Sequence, residues 1–281
     1  MRAHLSAAVL ALVTAFAADP ALAAAPPDPV PGHPGLRYQD LLRQVVPDLA
    51  ENASTHDLEG HLPEALRHVA GGDNGGDPPD PVTVGFIEAA RIRAGGRPRL
   101  AVLAELGHTD DRVAGTVLLA LFDDAPKPKL LDAVDVGMDR DSSLSEHPLL
   151  HLSPRDDALV TYSEHFNTGQ TYAFHTVVFV REGRWALLGQ VFTLSDRSCG
   201  WQTIENPTFK VRPDPGRAYG QLEVTVREQR KVDPTQDCDE ARPRPYVRLW
   251  RAVYRWEARK GRFATASSAL KRLDKINESR F

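Results

Sequence analysis

Cysteine is nearly absent from this chain: Cys199 and Cys238 are the only two among 281 residues. They form no C-x-x-C pair, which excludes a dithiol redox centre of the usual kind. Long apolar runs are equally scarce. Beyond the first two dozen residues, no stretch approaches the eighteen or so consecutive apolar residues that a membrane-spanning helix needs. The common catalytic signatures are missing as well. There is no G-x-S-x-G, which would mark a nucleophile elbow, and no H-E-x-x-H, which would mark a zinc protease. Ser268-Ala269-Leu270-Lys271 spells S-x-x-K but lacks the K-T-G and S-D-N partners that give that motif meaning.

What is there begins at the N-terminus. Arg2 precedes an uncharged apolar run from Leu5 to Ala18, and the small-residue triplet Ala21-Leu22-Ala23 follows. A basic start, a core too short to span a bilayer and a small-residue cleavage site make a secretory signal peptide, cut after Ala23, Ala24 or Ala25. No cysteine stands at that site to take a lipid, so the expected product is a soluble protein of the periplasm or the extracellular space. In that oxidising setting Cys199 and Cys238 are expected to pair, closing a loop of roughly 40 residues.

The net charge of −4 conceals an uneven distribution. From Arg242 onward twelve Arg and Lys face only Glu257, Asp274 and Glu278, so the C-terminal segment is strongly basic. Five prolines between Pro26 and Pro34 remove backbone donors and favour extended chain. Leu41, Leu42, Val45, Val46 and Leu49, and then Leu58, Leu62, Leu66 and Val69, recur at helical spacing and predict two short helices.

The period then becomes twofold. Val82, Val84, Phe86, Ala90 and Ile92 share one parity, as do Leu100, Val102, Ala104 and Leu106 past Gly95-Gly96, which predicts a hairpin with one buried face. Val113 to Phe122 is apolar on both parities and belongs centrally in a sheet or between layers. Further strands are predicted at 130–136, 158–162, 171–180, 185–194, 222–226 and 246–256, and a helix over 266–276. Arg181-Glu182-Gly183-Arg184-Trp185 and Arg259-Lys260-Gly261-Arg262-Phe263 share a design: glycine turns the hairpin and the aromatic restarts the next strand on a buried face. The expected fold is mainly β, of α+β type, an antiparallel hairpin meander closed as a sandwich, barrel or incomplete propeller, with short helices at both ends. Along the chain this gives a signal peptide over 1–25, a proline-rich tether over 26–35, a helical segment over 36–70, a Gly/Pro/Asp-rich loop over 71–81 and a β-rich domain with a C-terminal helix over 82–281.

Asp135 to Glu146 alternates oxygen ligands like a calcium loop, but Gly137 stands where an acid is needed and Arg140 where a glycine is needed. It reads as an acidic loop. No histidine pair has a diagnostic metal spacing, so neither metal nor cofactor is expected. Two segments are candidate recognition surfaces. Ser163 to Tyr172 is read as a polar, aromatic connection between strands, with Glu164, His165, Asn167 and Tyr172 as binding residues. The basic strand offers Arg248 and Trp250 on one parity and Arg251 and Arg255 on the other.

The favoured reading is a non-enzymatic, envelope-associated binding module. Its expected partner is an anionic envelope component or another exported protein; nucleic acid is excluded by location. The alternative is a hydrolase or metal-dependent enzyme assembled from separate strands, with Asp135, Asp139, His165 and His175 as first candidates.

Overall fold

The computed structural model describes residues 22–71, 78–109, 115–139, 141–236, 238 and 243–280. Most of the expected signal peptide and residues 72–77 of the expected loop lie outside them. In chain order the elements are β1 (Leu22–Ala24), α1 (Tyr38–Leu42), β2 (Ala50–Glu51), β3 (Leu58–Gly60), β4 (Val82–Val84), β5 (Ile87–Ala94), β6 (Arg97–Glu105), β7 (Val117–Asp123) and β8 (Leu130–Asp135). There follow β9 (Asp141–Ser153), β10 (Asp156–Asn167), β11 (Gln170–Arg181), β12 (Arg184–Ser198), β13 (Trp201–Arg212), β14 (Gln221–Val232), β15 (Tyr246–Glu257), β16 (Arg262–Ala264) and α2 (Ala269–Glu278). They build a five-stranded sheet, β1-β5-β6-β7-β8, an eight-stranded meander from β9 to β16, and a small sheet, β2-β3-β4. Neighbouring strands run antiparallel throughout.

Three tight hairpins obey one rule. Gly95-Gly96, Thr168-Gly169 and Glu182-Gly183 are two-residue loops with positive φ at both positions. This is the backbone that matches the right-handed twist of the strands it joins. The Arg-aromatic restarts behave as the sequence predicts: Trp185 and Phe263 are both buried.

The five-stranded sheet is buried on both faces. Leu100, Val102, Ala104, Leu118, Ala120 and Phe122 pack beneath the N-terminal segment, where Tyr38, Leu41, Leu42 and Val46 cover them. Ala90, Ile92, Leu103, Leu119 and Leu121 pack the other way, against Leu159, Val178 and Trp185 of the meander. The expected hairpin with one buried face is therefore corrected. Ala90 lies opposite Ala101, so Ala90 and Ile92 share a face with Ala101 and Leu103, not with Leu100 and Val102. Phe86 is exposed. Between β6 and β8, β7 is the doubly buried strand the sequence predicts.

The meander folds over at the junction of β12 and β13, which pair only at Asp196–Thr203, Arg197–Gln202 and Ser198–Trp201. Beyond this corner the strands diverge, and the second leaf returns so that β13 meets β9 and β16 meets β12. The two leaves enclose a core of Val160, Val177, Phe179, Leu188, Val191, Leu222, Val224 and Val226, sealed by Leu270 and Leu273 of α2. Cys199, at the corner, is disulfide-bonded to Cys238 beyond β14.

β9 takes up the second half of the acidic loop expected after Asp135, from Asp141 onward. Its pairing jumps from Thr161 opposite Leu144 to Leu159 opposite Leu149, so Ser145 to Pro148 form a wide bulge against Val160. Pro148 has no N–H to give a ladder, and a bulge is where a strand tolerates it. The bulge also reverses the side-chain parity. Leu144 faces the five-stranded sheet, whereas Leu150 and Leu152 face the core between the leaves.

An ion cluster around the buried Asp157 clamps the layers. The Asp157 carboxylate in β10 accepts bonds from the Arg93 backbone N–H at 2.8 Å, from Arg93 Nη2 at 3.0 Å and from His151 Nδ1 at 2.7 Å. Burial pushes its carboxyl up, but the Arg93 and His151 bonds prevail and hold it below the usual aspartate range.

Toward the N-terminus the outcome differs from expectation. Only Tyr38–Leu42 is helical there; the second predicted helix is absent, and Leu58–Gly60 forms a short strand instead. A Cβ at position 60 would lie 2.6 Å from Val46 Cγ1 and 3.1 Å from Leu49 Cα, so the chain needs glycine there to cross its own earlier turn. The proline-rich stretch folds back, with Val30 and His33 buried and Tyr38 N–H donating to Asp28 O. Residues 22–24, at the expected cleavage site, pair with Ala89, Glu88 and Ile87 at the edge of β5.

Candidate functional site

The segment expected as a recognition loop is regular sheet. Glu164 lies opposite Ala173, His165 opposite Tyr172 and Asn167 opposite Gln170, with only Thr168-Gly169 turning the chain. Alternation along β10 divides the four candidates between two faces. Glu164 points with Tyr162 to the side between the leaves and accepts a hydrogen bond from the Tyr162 hydroxyl. His165, Asn167 and Tyr172 lie on the opposite face. There His165 Nδ1 sits 2.5 Å from Asp139 Oδ2, its ring is 4.7 Å from the Tyr172 ring, and Tyr172 itself is buried. Asn167 and the neighbouring Phe166 are exposed at the hairpin tip.

Of the residues of the enzymatic alternative, Asp139 and His165 meet, and His175 lies apart from them. Asp135 is buried, and its Oδ1 accepts the backbone N–H groups of Val117 at 3.0 Å and Gly137 at 2.8 Å. Asp139 is engaged with His165. His175 lies opposite Tyr162, so it occupies the face of the sheet that His165 does not. Among the described residues no group of three His, Cys, Asp or Glu is arranged to hold a metal ion.

The basic strand β15 separates its side chains as its parity predicts. The aromatics turn inward: Trp250 Nε1 donates to Glu228 Oε2 at 3.0 Å and Tyr246 O–H to Glu228 Oε1 at 2.5 Å. Arg248 shares that parity and reaches back at the sheet margin, its guanidinium carbon 4.8 Å from the Tyr246 ring centroid. Arg251 and Arg255 point outward, beside Val247 and Leu249, which are each 53% exposed. The four predicted residues thus contribute to two surfaces.

Register extends the outward surface across three strands. Arg251 lies opposite Thr225, Leu249 opposite Arg227 and Val253 opposite Glu223; Thr225, Arg227 and Glu223 in turn face Thr208, Asn206 and Lys210. The outward positions of β13, β14 and β15 therefore include Lys210, Arg212, Arg227, Lys231, Arg251 and Arg255, all exposed. The acids there are Glu223, bound to Arg212 at 2.8 Å, and Glu257, bound to Lys260 at 2.7 Å. β16 pairs only with Arg255 to Glu257, so most of β15 is an edge, and its arginines discourage strand-to-strand aggregation there.

Beneath this face lies a buried ion triad that the sequence did not reveal. Arg280 Nη1 is 3.0 Å from Glu205 Oε1 and Nη2 is 2.8 Å from Glu228 Oε1. Asn277 Nδ2 and the Leu194 backbone N–H complete Glu205. Burial raises Glu205 above the usual glutamate range, and its bonds only partly offset this. Burial also pushes Glu228 up, but Tyr246, Arg280 and Trp250 outweigh it and lower its carboxyl. The only available signal was Glu228 ending the apolar alternation Leu222, Val224, Val226.

Among the described residues no helix is long and apolar enough to cross a membrane. Comparison with family models, curated proteins and solved structures finds no match for this chain.

Proposed function

We propose that this chain is an exported, non-enzymatic binding module that docks the outward face of β13, β14 and β15 onto an anionic component of the cell envelope. The observation that carries this reading is the row of six exposed basic side chains on that face, where the two acids are already paired. A flat sheet face with Val247 and Leu249 between arginines suits a phosphate- or carboxylate-bearing surface. The guanidinium groups pair with the anions, and the apolar side chains cover part of the intervening surface. Export is supported by the signal-peptide pattern of the first 25 residues and by the disulfide, a bond that persists in oxidising compartments.

Each basic side chain near an anionic surface contributes about 1 kcal/mol. The triple variant Arg227→Gln, Arg251→Gln and Arg255→Gln is therefore expected to bind immobilised lipopolysaccharide or peptidoglycan about a hundredfold more weakly at low salt. Lys127→Gln, elsewhere on the surface, serves as the control. Unchanged retention of the folded triple variant would refute this docking face.

A further inference from the structure

A second site lies on the margin between the leaves, and of the six basic residues of the outward face it shares only Lys210. Between the β9 bulge at Ser145 to Pro148 and β13 lies a cleft of about 640 Å³. That volume falls within the range of small-molecule sites. Leu149 and Leu150 line one side, Phe209 the other, and Val160, Tyr162 and His175 the floor, while exposed Glu146, His147 and Lys210 stand at the mouth. Most of this lining is apolar or aromatic. The Tyr162 and His175 ring centroids are 5.0 Å apart, and those of His175 and Phe209 are 6.0 Å apart.

Two observations define what such a cleft accepts. The first is its polarity. His175 is held neutral by burial, which depresses its pKa to about 4, so the medium around it disfavours a net charge. The Tyr162 hydroxyl is already committed to Glu164. The second is an orphan. Ser145 Oγ lines the same cleft, is sealed from solvent and has no hydrogen-bond partner. A buried hydroxyl without a partner is disfavoured by about 1–3 kcal/mol, and an occupant offering one polar atom would relieve it.

We propose that the cleft between the β9 bulge and β13 binds an uncharged, largely apolar small molecule that stacks against Phe209 and His175 and exchanges one hydrogen bond with Ser145. An anionic ligand of the same shape would have to shed its water against the apolar floor, and Lys210 at the mouth is too exposed to compensate, so the site selects against it. This distinguishes the cleft from the outward basic face, which selects for anions.

The probe for this is N-phenyl-1-naphthylamine, an uncharged apolar fluorophore with one N–H. Saturable binding to the full mature chain is expected, at least tenfold tighter than that of the anionic 8-anilino-1-naphthalenesulfonate. In NMR spectra of the unsubstituted protein, the ring signals of His175 and Phe209 should shift at saturation, while those of exposed Phe86 and Phe166 should not. Phe209→Glu should weaken binding at least tenfold, and Leu249→Glu, on the outward face, should leave it unchanged. Absence of saturable binding, tighter binding of the sulfonate, or shifts confined to Phe86 and Phe166 would each overturn the proposal. The NMR result stands even if Phe209→Glu does not fold.

Discussion

Replacing Arg280 by methionine is expected to cost about 3–5 kcal/mol of folding stability, read as a fall in the denaturant midpoint at pH 7. The side chains of Glu205 and Glu228 are 0% and 1% exposed, so removing the guanidinium strands two carboxylates without their shared cation. The pH dependence follows from the sign of the change. Without Arg280 both folded carboxyls move upward, and a raised acid is most compatible with folding below its unfolded pKa, near 4.3. The deficit should therefore be largest at neutral pH and shrink toward pH 4.5. Glu205, already raised by burial, takes the proton before Glu228. An equal deficit at both pH values would show that Arg280 acts through packing and not through charge.

The second large effect is expected from the disulfide. Converting both Cys199 and Cys238 to alanine frees a loop whose ends are 39 residues apart in sequence. The chain-entropy model puts the loss at about 4 kcal/mol. The bond spans the β13–β14 hairpin, which forms only three residue pairs with β12 at the corner. Hydrogen exchange should therefore rise first in β13 and β14, before β10 and β11 open. Uniform acceleration over both leaves would mean that the corner does not depend on the bond.

How much of this was legible in the sequence depends on what each strand faces. In β14 and β15 the two sides meet different surroundings, and the alternation located them, whereas β10, β11 and β12 are buried on both sides over part of their length and were found by their runs of strand-forming residues. β5 and β6 are apolar on both sides, so their strands could be found while their facing could not. β9 escaped because its bulge changes parity midway, and His147-Pro148 reads as a break. β13 escaped because Thr203, Glu205 and Pro207 point inward where apolar residues would normally advertise a strand. The missing second helix had the right leucine spacing, but Gly60 serves a crossing chain.

The candidate surfaces divide in the same way. The outward position of Arg251 and Arg255 followed from parity within one strand. Lys210 and Arg227 joined them through a register between strands that no local pattern encodes. Arg280 meets Glu205 across 75 positions, a contact created only when α2 packs back onto β12 and β15. The supposed loop around His165 was misread because its polar side chains suit water on one edge of a long hairpin as well as they suit a turn.

The detour in β9 has a consequence for how this chain can change length. Because it inverts inside and outside, its surplus of residues over β10 must stay odd. Gaining or losing a single residue between Ser145 and Pro148 would aim Leu150 and Leu152 away from their neighbours, whereas a change of two would preserve their aim and resize only the opening beside Val160. The aperture of the cleft is thus adjustable in pairs of residues, at little expense to the leaves that hold it.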